Sequence, residues 1–297
     1  MKRLFRILLK LIVSLVAIVV LAIAAVYVLT ERRMNRRYTI DPPRVEIPSD
    51  AESIERGRHL ARSVSACVVC HGPDLSGHVL PEGELPPGSR LAAANLTPGR
   101  GGTGSRYSDA DWVRALLYGV APDGRPLLFM PSHEYHFTAR DLGSLIAYLK
   151  TLPPVDKELP PPQIGLLVRV LSYVGGFPLI PYDLIDHDVP RLASGAPPEE
   201  LSTVERGRRL VGAGACSGCH LEDFTGGAGP PPGAPNITPA AIGDWTEADF
   251  IRLIRDRRKP DGTELLPQMP AAVYAGMSDE ELKAIWAYLQ TVPAKGQ

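Results

Sequence analysis

The sequence lacks an excess of charge of either sign. Its 297 residues carry 32 basic and 33 acidic side chains, a formal net charge of -1 at pH 7. This balance excludes a strongly basic nucleic-acid-binding protein and an acidic disordered chain. The charge is unevenly placed. Residues 1–40 contain eight Lys or Arg and one acid, whereas the other 257 residues contain 24 basic and 32 acidic side chains. The body of the protein is therefore acidic.

A clear strand pattern is also missing, because apolar and polar residues do not alternate over any long stretch. Instead, 30 Pro and 28 Gly make up nearly a fifth of the chain. This share is above the usual one and predicts many turns between helices of modest length. The chain length fits roughly two domains. Because a strand pattern is missing and turns separate modest helices, we expect an all-α fold.

One long apolar run lies near the N-terminus. From Leu11 to Leu29 only Ser14 and Tyr27 are polar, and at 1.5 Å per residue this run crosses a hydrocarbon core of roughly 30 Å. It predicts a single transmembrane helix at residues 11–30. A cleaved signal peptide is the competing interpretation, with small residues at 22–24 as its cleavage site. The run continues past that site, which favours an uncleaved anchor. Four basic residues flank each end, so charge alone does not orient the helix.

An internal repeat covers most of the remaining chain. Six short motifs recur in the same order, at offsets of 138 to 150 residues. They are E-R-G-R at 55–58 and 205–208, C-x-x-C-H at 67–71 and 216–220, N-[LI]-T-P at 95–98 and 236–239, A-D-[WF] at 110–112 and 248–250, M-P at 130–131 and 269–270, and A-Y-L at 147–149 and 287–289. The chain therefore carries two copies of one module. The expected segments are a cytoplasmic N-terminus at 1–10, the helix at 11–30, a linker at 31–50, domains at 51–153 and 201–297, and a Pro-rich linker at 154–200.

Helix starts can be recognised in each copy. The capping pattern S/T-x-x-D/E begins at Ser108, Thr138, Thr246 and Ser278, and apolar residues follow each at helical spacing. Each copy is thus expected to have a helix before its cysteine motif, a middle helix and a final helix. Three short helices make a thin core for a domain of this size, so something else must fill its middle. In the linker, an apolar stretch from Ile164 to Val174 is too short to span a membrane. It could pack across the domains, or lie on the bilayer or on a partner.

All four cysteines lie in C-x-x-C-H, which is typical of c-type haem attachment. Two thiols three residues apart at a helix end can bond to one haem edge, while the next residue's imidazole reaches the iron. We expect two covalently bound haem c groups. The attaching cysteines and the iron-binding histidines would be Cys67, Cys70, Cys216, Cys219, His71 and His220. A redox-active dithiol, a disulfide or one four-cysteine zinc site would use the same cysteines, but none of these needs the two histidines.

A haem iron also takes a ligand on its far face, commonly Met or His. In the second copy the candidates are Met269 and Met277. Met269 is favoured because it shares a Met-Pro context with Met130, 139 residues earlier. In the first copy Met130 competes with nearby histidines, and the repeat favours Met130. Those histidines are His78, His133 and His136. The expected axial ligands are therefore His71 with Met130, and His220 with Met269.

The two copies each resemble a class I cytochrome c domain. Their order of motifs is similar to that of the haem subunits of membrane-bound alcohol and gluconate dehydrogenases, which have three haem domains where this chain has two. The resemblance implies an α-helical fold around each haem, His/Met ligation, and electron transfer without bond-making chemistry. One departure is Leu221, which stands where such domains usually have the Gly found here at Gly72.

These observations predict a compartment and a role. Bacteria attach haem c outside the cytoplasm, so we expect a single-pass inner-membrane protein whose haem domains face the periplasm. With both axial positions filled, the protein would not be an enzyme but a relay of single electrons. Its partners would be a dehydrogenase, a quinol-oxidising complex or a terminal oxidase, and no nucleic acid. A dihaem peroxidase with one open haem is the main alternative, and it would be possible if Met130 is not a ligand, with His133, Tyr135 or His136 nearby. A haem-based sensor is the other.

Overall fold

The computed structural model of the chain describes residues 2–81, 83, 85–193, 200–227 and 233–296. The end of the Pro-rich linker, residues 194–199, lies outside these ranges. The described chain is mostly helical, as expected, and its one small sheet pairs two antiparallel strands of two residues each. The helices and strands are α1 (Lys2–Met34), α2 (Ala51–His59), α3 (Cys67–His71), β1 (His78–Val79), β2 (Ala92–Ala93), α4 (Asp109–Tyr118), α5 (Ala139–Lys150), α6 (Leu166–Tyr173), α7 (Thr203–Ala213), α8 (Ser217–His220), α9 (Pro239–Ile242), α10 (Glu247–Asp256), α11 (Ala271–Tyr274) and α12 (Asp279–Leu289). A π-helical segment, Leu60–Val64, continues α2.

The four predicted helix starts are confirmed. Ser108, Thr246 and Ser278 form complete capping boxes with the acid three residues later. In α5 the Thr138 hydroxyl accepts from the backbone N–H of Asp141, but the Asp141 carboxylate is used elsewhere. It accepts from the Arg56 guanidinium at 2.7 Å, and so joins α5 to α2.

Two long-range helix pairs form the frame of the two repeats: α2 crosses α5, and α7 crosses α12. The crossing points are Gly57 and Gly207, the glycines of the two E-R-G-R motifs. A Cβ on Gly57 would overlap the backbone carbonyl of Ser144, and a Cβ on Gly207 would overlap that of Ala284. A glycine inside a helix costs about 1 kcal/mol relative to alanine. The close approach of the two helix backbones requires it here.

The main hydrophobic core runs through both repeats. Its buried members include Leu60 and Leu142 from the first repeat, and Val211 and Leu282 from the second. A polar contact also joins the repeats, because His59 Nε2 lies 2.8 Å from a carboxylate oxygen of Glu281. The repeats are therefore packed on each other rather than strung on a linker.

The apolar stretch of the linker packs beside the first repeat. Ile164, Val168 and Leu179 are buried in a second, smaller cluster with Leu85 and Leu91 of the first repeat. Helix α6, which this stretch forms, also contacts α1. The linker thus packs against both the first repeat and the N-terminal helix.

Within the described residues, α1 is the one helix long and apolar enough to cross a membrane. Its most apolar 18-residue window has a mean hydropathy of 3.1, and none of that window is buried inside the protein. A signal sequence near an N-terminus has the same properties. The helix is thus compatible with either an anchor or a signal sequence.

Replacing Gly207 by alanine should destabilise the protein although alanine is the better helix former. The added methyl group overlaps the Ala284 carbonyl, and overpacking of this kind costs about 1–3 kcal/mol. Thermal unfolding followed by circular dichroism should show a lower Tm for Gly207→Ala. The matched control is Arg208→Ala, one residue along on the exposed side of α7, which should change Tm little. A higher Tm for Gly207→Ala would mean that helix propensity dominates and that the crossing is not close-packed.

Candidate functional site

The two C-x-x-C-H motifs form matching short turns of helix, α3 and α8. Each is preceded by an alanine with left-handed backbone, Ala66 and Ala215, both with φ of 52°. Each is followed by another positive φ, 80° at Gly72 and 63° at Leu221. A non-glycine residue with this backbone is strained by about 1–3 kcal/mol. Leu221, which stands where such domains usually have Gly, therefore keeps a positive φ, and the turn is the same in both motifs.

The two motif histidines are oriented in the same way. His71 Nδ1 lies 2.7 Å from the backbone carbonyl of Ala94, and His220 Nδ1 lies 2.8 Å from that of Pro235. A carbonyl can only accept, so Nδ1 carries the hydrogen and Nε2 is left as the unprotonated nitrogen. A hydrogen bond of this kind is what fixes the tautomer of a metal-binding histidine. Each imidazole thus presents Nε2 as a ligand.

Electrostatics keep these groups neutral. Burial lowers the pKa of His71 and His220 below the usual value of 6.5, although their carbonyl partners oppose the shift. Both imidazoles are therefore uncharged at pH 7. Burial, reinforced by the second thiol of each motif, raises the pKa of Cys67 and of Cys216 to about 12. A redox-active dithiol needs the opposite, a lowered thiol pKa.

The zinc alternative also lacks support. Across the described ranges, which include all four cysteines, no three His, Cys, Asp or Glu side chains converge in a way that could hold a metal ion. The two motifs are separate sites, so the arrangement expected of one shared four-cysteine centre is not formed.

The N-[LI]-T-P motifs hold the carbonyls that orient the histidines. Each begins directly after Ala94 or Pro235, and its Asn and Thr side chains are occupied. Asn236 Nδ2 donates to the Lys295 carbonyl at 2.7 Å, and its Oδ1 accepts from Thr238 N–H at 2.8 Å. Asn95 makes the equivalent bonds to the carbonyl of Val155 and the N–H of Thr97. Asn95-Leu96-Thr97 matches the N-x-[ST] acceptor sequence for glycosylation, but Asn95 is 1% exposed and so is not accessible. The hydrogen bonds of the N-[LI]-T-P motif therefore hold in place the loop beside each histidine.

In the second repeat a cleft opens over His220. Cys216, His220 and Met269 line it together, and so does the competing Met277. The other lining residues are predominantly apolar, as in most cofactor sites. Cys219 is exposed and does not line the cleft. The chemistry of this lining, apolar side chains with a neutral imidazole and two thioethers, suits a haem.

In the first repeat, Cys67 and Met130 pack half-buried against the main core, and His71 is 8% exposed. The structure gives other partners to two of the histidines that compete with Met130. His133 Nε2 lies 2.9 Å from the Glu134 carboxylate, and His136 Nδ1 lies 3.0 Å from the Glu134 backbone carbonyl. The third competitor, His78, is exposed on β1.

Two tyrosines form a further part of the site. Tyr135 donates to the Ser65 carbonyl at 3.0 Å, and Tyr274 donates to the Gly214 carbonyl at 3.1 Å. Each acceptor lies two residues before the first cysteine of its motif. Burial raises the pKa of both phenols, so they stay protonated. The sequence analysis missed this pair as a repeat feature, although both follow the Met-Pro dipeptide at the same spacing and share its offset of 139 residues.

The loop after Met130 also reaches the second motif. Ser217, within C-x-x-C-H of the second repeat, donates to the Glu134 carboxylate at 3.1 Å. Glu134 packs so closely on Gly218 that a Cβ there would lie 3.2 Å from its carboxyl carbon. The Met130 side of the first repeat therefore lies directly on the cysteine motif of the second.

Comparison with known proteins agrees with this geometry. The family model described as cytochrome c matches residues 204–293. A diheme cytochrome c-type protein of Cereibacter sphaeroides is 32% identical over 261 residues, which cover 77% of this chain and 82% of that protein.

Cytochrome subunits of dehydrogenases are also similar. The fructose dehydrogenase cytochrome subunit of Gluconobacter japonicus is 28% identical, and the cytochrome c subunit of the quinone-type alcohol dehydrogenase of Komagataeibacter europaeus is 25% identical. Each alignment covers 82% of this chain, but only 54% and 57% of those two proteins. With two matching C-x-x-C-H motifs, oriented histidines and a relative aligned over most of both lengths, the chain belongs to the cytochrome c family.

Proposed function

We propose that this chain is a membrane-anchored dihaem cytochrome c that relays single electrons between redox partners. The observation that supports it best is the duplicated hydrogen bond from each motif histidine to a backbone carbonyl, at 2.7 and 2.8 Å. Haem, when bound, supplies reversible one-electron chemistry at its iron. Each repeat, 51–153 and 201–297, would form one cytochrome c domain around one haem c.

The residues of each domain have separate roles. Cys67, Cys70, Cys216 and Cys219 would attach the haems through thioether bonds. His71 and His220 would bind iron on one face, and Met130 and Met269 on the other. A thioether ligand raises the reduction potential relative to a second histidine. The tyrosines Tyr135 and Tyr274 would position the methionine loops against the cysteine motifs.

Electrons would pass between the two sites within the chain. Ser217 donates to the Glu134 carboxylate, so the methionine loop of the first domain would lie on the attachment motif of the second. The shared core keeps this arrangement fixed. No encounter with a second molecule would be needed for this step.

The N-terminal helix would be an uncleaved anchor in the bacterial inner membrane. Its last turns are joined to the folded body, because Arg169 of α6 pairs with Glu31 at 2.9 Å and Arg33 pairs with Asp183 at 2.7 Å. Haem c is attached outside the cytoplasm, so both domains would face the periplasm. The named relatives suggest a dehydrogenase as electron donor, and a quinol-oxidising complex or a terminal oxidase could stand at the other end. The acidic body would favour a basic face on the partner.

Carbon monoxide tests whether both distal positions are filled. The purified protein should contain two haems per chain, and the absorbance of neither should change with carbon monoxide after reduction. Met130→Ala and Met269→Ala should each open one distal position, so that one of the two haems binds carbon monoxide. The measurement is the reduced spectrum with and without the gas, together with a haem count.

Met277→Ala is the matched control for Met269→Ala, since both side chains line the same cleft. It should leave both haems indifferent to carbon monoxide. Binding in Met277→Ala but not in Met269→Ala would exchange the roles of the two methionines. One haem of the unaltered protein that binds carbon monoxide would contradict the relay and support the peroxidase or the sensor.

Removing one tyrosine hydroxyl should weaken the nearby methionine ligand without abolishing it. Tyr274→Phe deletes the bond to the Gly214 carbonyl, worth about 1 kcal/mol, or roughly fivefold in an equilibrium. Added imidazole competes with methionine for iron, so its affinity for the second haem should rise by about that factor. Tyr135→Phe should do the same at the first haem. Equal imidazole affinities in the variants and the parent would show that the phenols only fill space.

A further inference from the structure

Helix α6 buries polar side chains together with Val168, and the side chains it exposes most are apolar. Arg169 and Ser172 are buried, with 4% and 7% exposed. Leu167, Tyr173 and Val174 are 49%, 48% and 71% exposed. A surface helix of a water-soluble domain shows the opposite pattern, with charged and polar residues toward solvent. The sequence of α6 is therefore matched to an apolar medium on its outer side.

Arg169 fixes where this outer side lies. Its guanidinium pairs with the Glu31 carboxylate at 2.9 Å and donates to the Tyr27 carbonyl at 3.3 Å. It also lies 3.9 Å above the centre of the Tyr27 ring. A third bond runs back to the Ile164 carbonyl at the start of α6. These contacts tie α6 to the last turns of α1.

The depth of this contact follows from the apolar run of α1. Tyr27 lies two residues before its end at Leu29, and Glu31 lies two residues after it. At 1.5 Å per residue, both are about 3 Å from the end of the apolar run. Tyrosines collect at such boundaries, and lipid-bound helices bury their apolar faces to about 5–10 Å there. Helix α6 therefore lies at the level where the hydrocarbon core meets the headgroups.

We propose that the outer face of α6, formed by Leu166, Leu167, Tyr173 and the adjoining Val174, is embedded in the bilayer beside α1. It continues the lipid-facing surface of α1, which is exposed along its whole apolar window. The proposal rests on the proposed membrane anchoring, and adds a second element that contacts lipid. It gives the first repeat one fixed orientation on the membrane surface, whereas a single helix on a flexible linker would allow many.

The arginines after the apolar run of α1 fit the same orientation. Arg33 pairs with Asp183, and Arg37 pairs with Asp123 of the first repeat at 2.8 Å. The polypeptide that leaves the membrane is thus held against the domain at headgroup level.

Photocrosslinking in lipid tests the proposal. The photoreactive residue p-benzoylphenylalanine would replace Val174 or Leu167 in the full haem-loaded chain, in vesicles of phosphatidylethanolamine and phosphatidylglycerol. After irradiation, mass spectrometry identifies the adducts. Val16, in the middle of α1, is the lipid-facing control, and exposed Arg208 on α7 is the aqueous control. We expect lipid adducts at positions 174, 167 and 16, and none at position 208.

Three other results would overturn the proposal, each for a different reason. Lipid adducts at 16 but not at 174 or 167 overturn the embedded face and leave the anchor intact. Adducts between two copies of the chain at 174, without lipid, overturn it in favour of a dimer contact. Absence of lipid adducts at 16 overturns the anchor itself, and the embedded face with it. None of these results depends on electron transfer, so a failed relay and a failed lipid contact are told apart.

Discussion

The hydrogen bond between the motif imidazole and a backbone carbonyl is the contact on which each site depends. It selects the tautomer, points Nε2 away from the loop, and is made twice with nearly the same length. The rest of each repeat supports it. Asn95 and Asn236 hold the carbonyl loop to the segment that follows the last helix of each repeat. The glycine crossings at Gly57 and Gly207 hold the helices that frame it.

Much of this could be predicted from the sequence, because duplication makes weak signals reliable. A single S-x-x-D is a poor helix marker, but four in matching positions located four helices correctly. The sequence shows E-R-G-R only as a recurring motif, and the structure shows that its glycine lets two helix backbones approach closely. The family was likewise recognised from the order of motifs, and the comparisons confirm it.

Other features could not be predicted, since they depend on contacts distant in the chain. The carbonyls of Ala94 and Pro235 have no side-chain signal of their own. The contact of Glu134 with Ser217 joins residues 83 positions apart. The sequence alone allows the apolar stretch of the linker to pack across the domains, or to lie on the bilayer or on a partner. Only the structure shows that it forms α6 and contacts α1 and the first repeat. The identity of the distal ligands stays a prediction, because Met269 and Met277 line the same cleft.

The shared core of the two repeats has a kinetic consequence. Sites on separate, tethered domains would meet by diffusion, and their encounter rate would change with ionic strength, as it does for charged surfaces in solution. Here Leu60, Leu142, Val211 and Leu282 belong to one packed cluster, and packed interiors have low compressibility. The distance between the two cysteine motifs is thus set by the interior of the protein. In the proposed relay, electron exchange between haems held at these two motifs would be insensitive to salt, whereas exchange with a partner protein would depend on it.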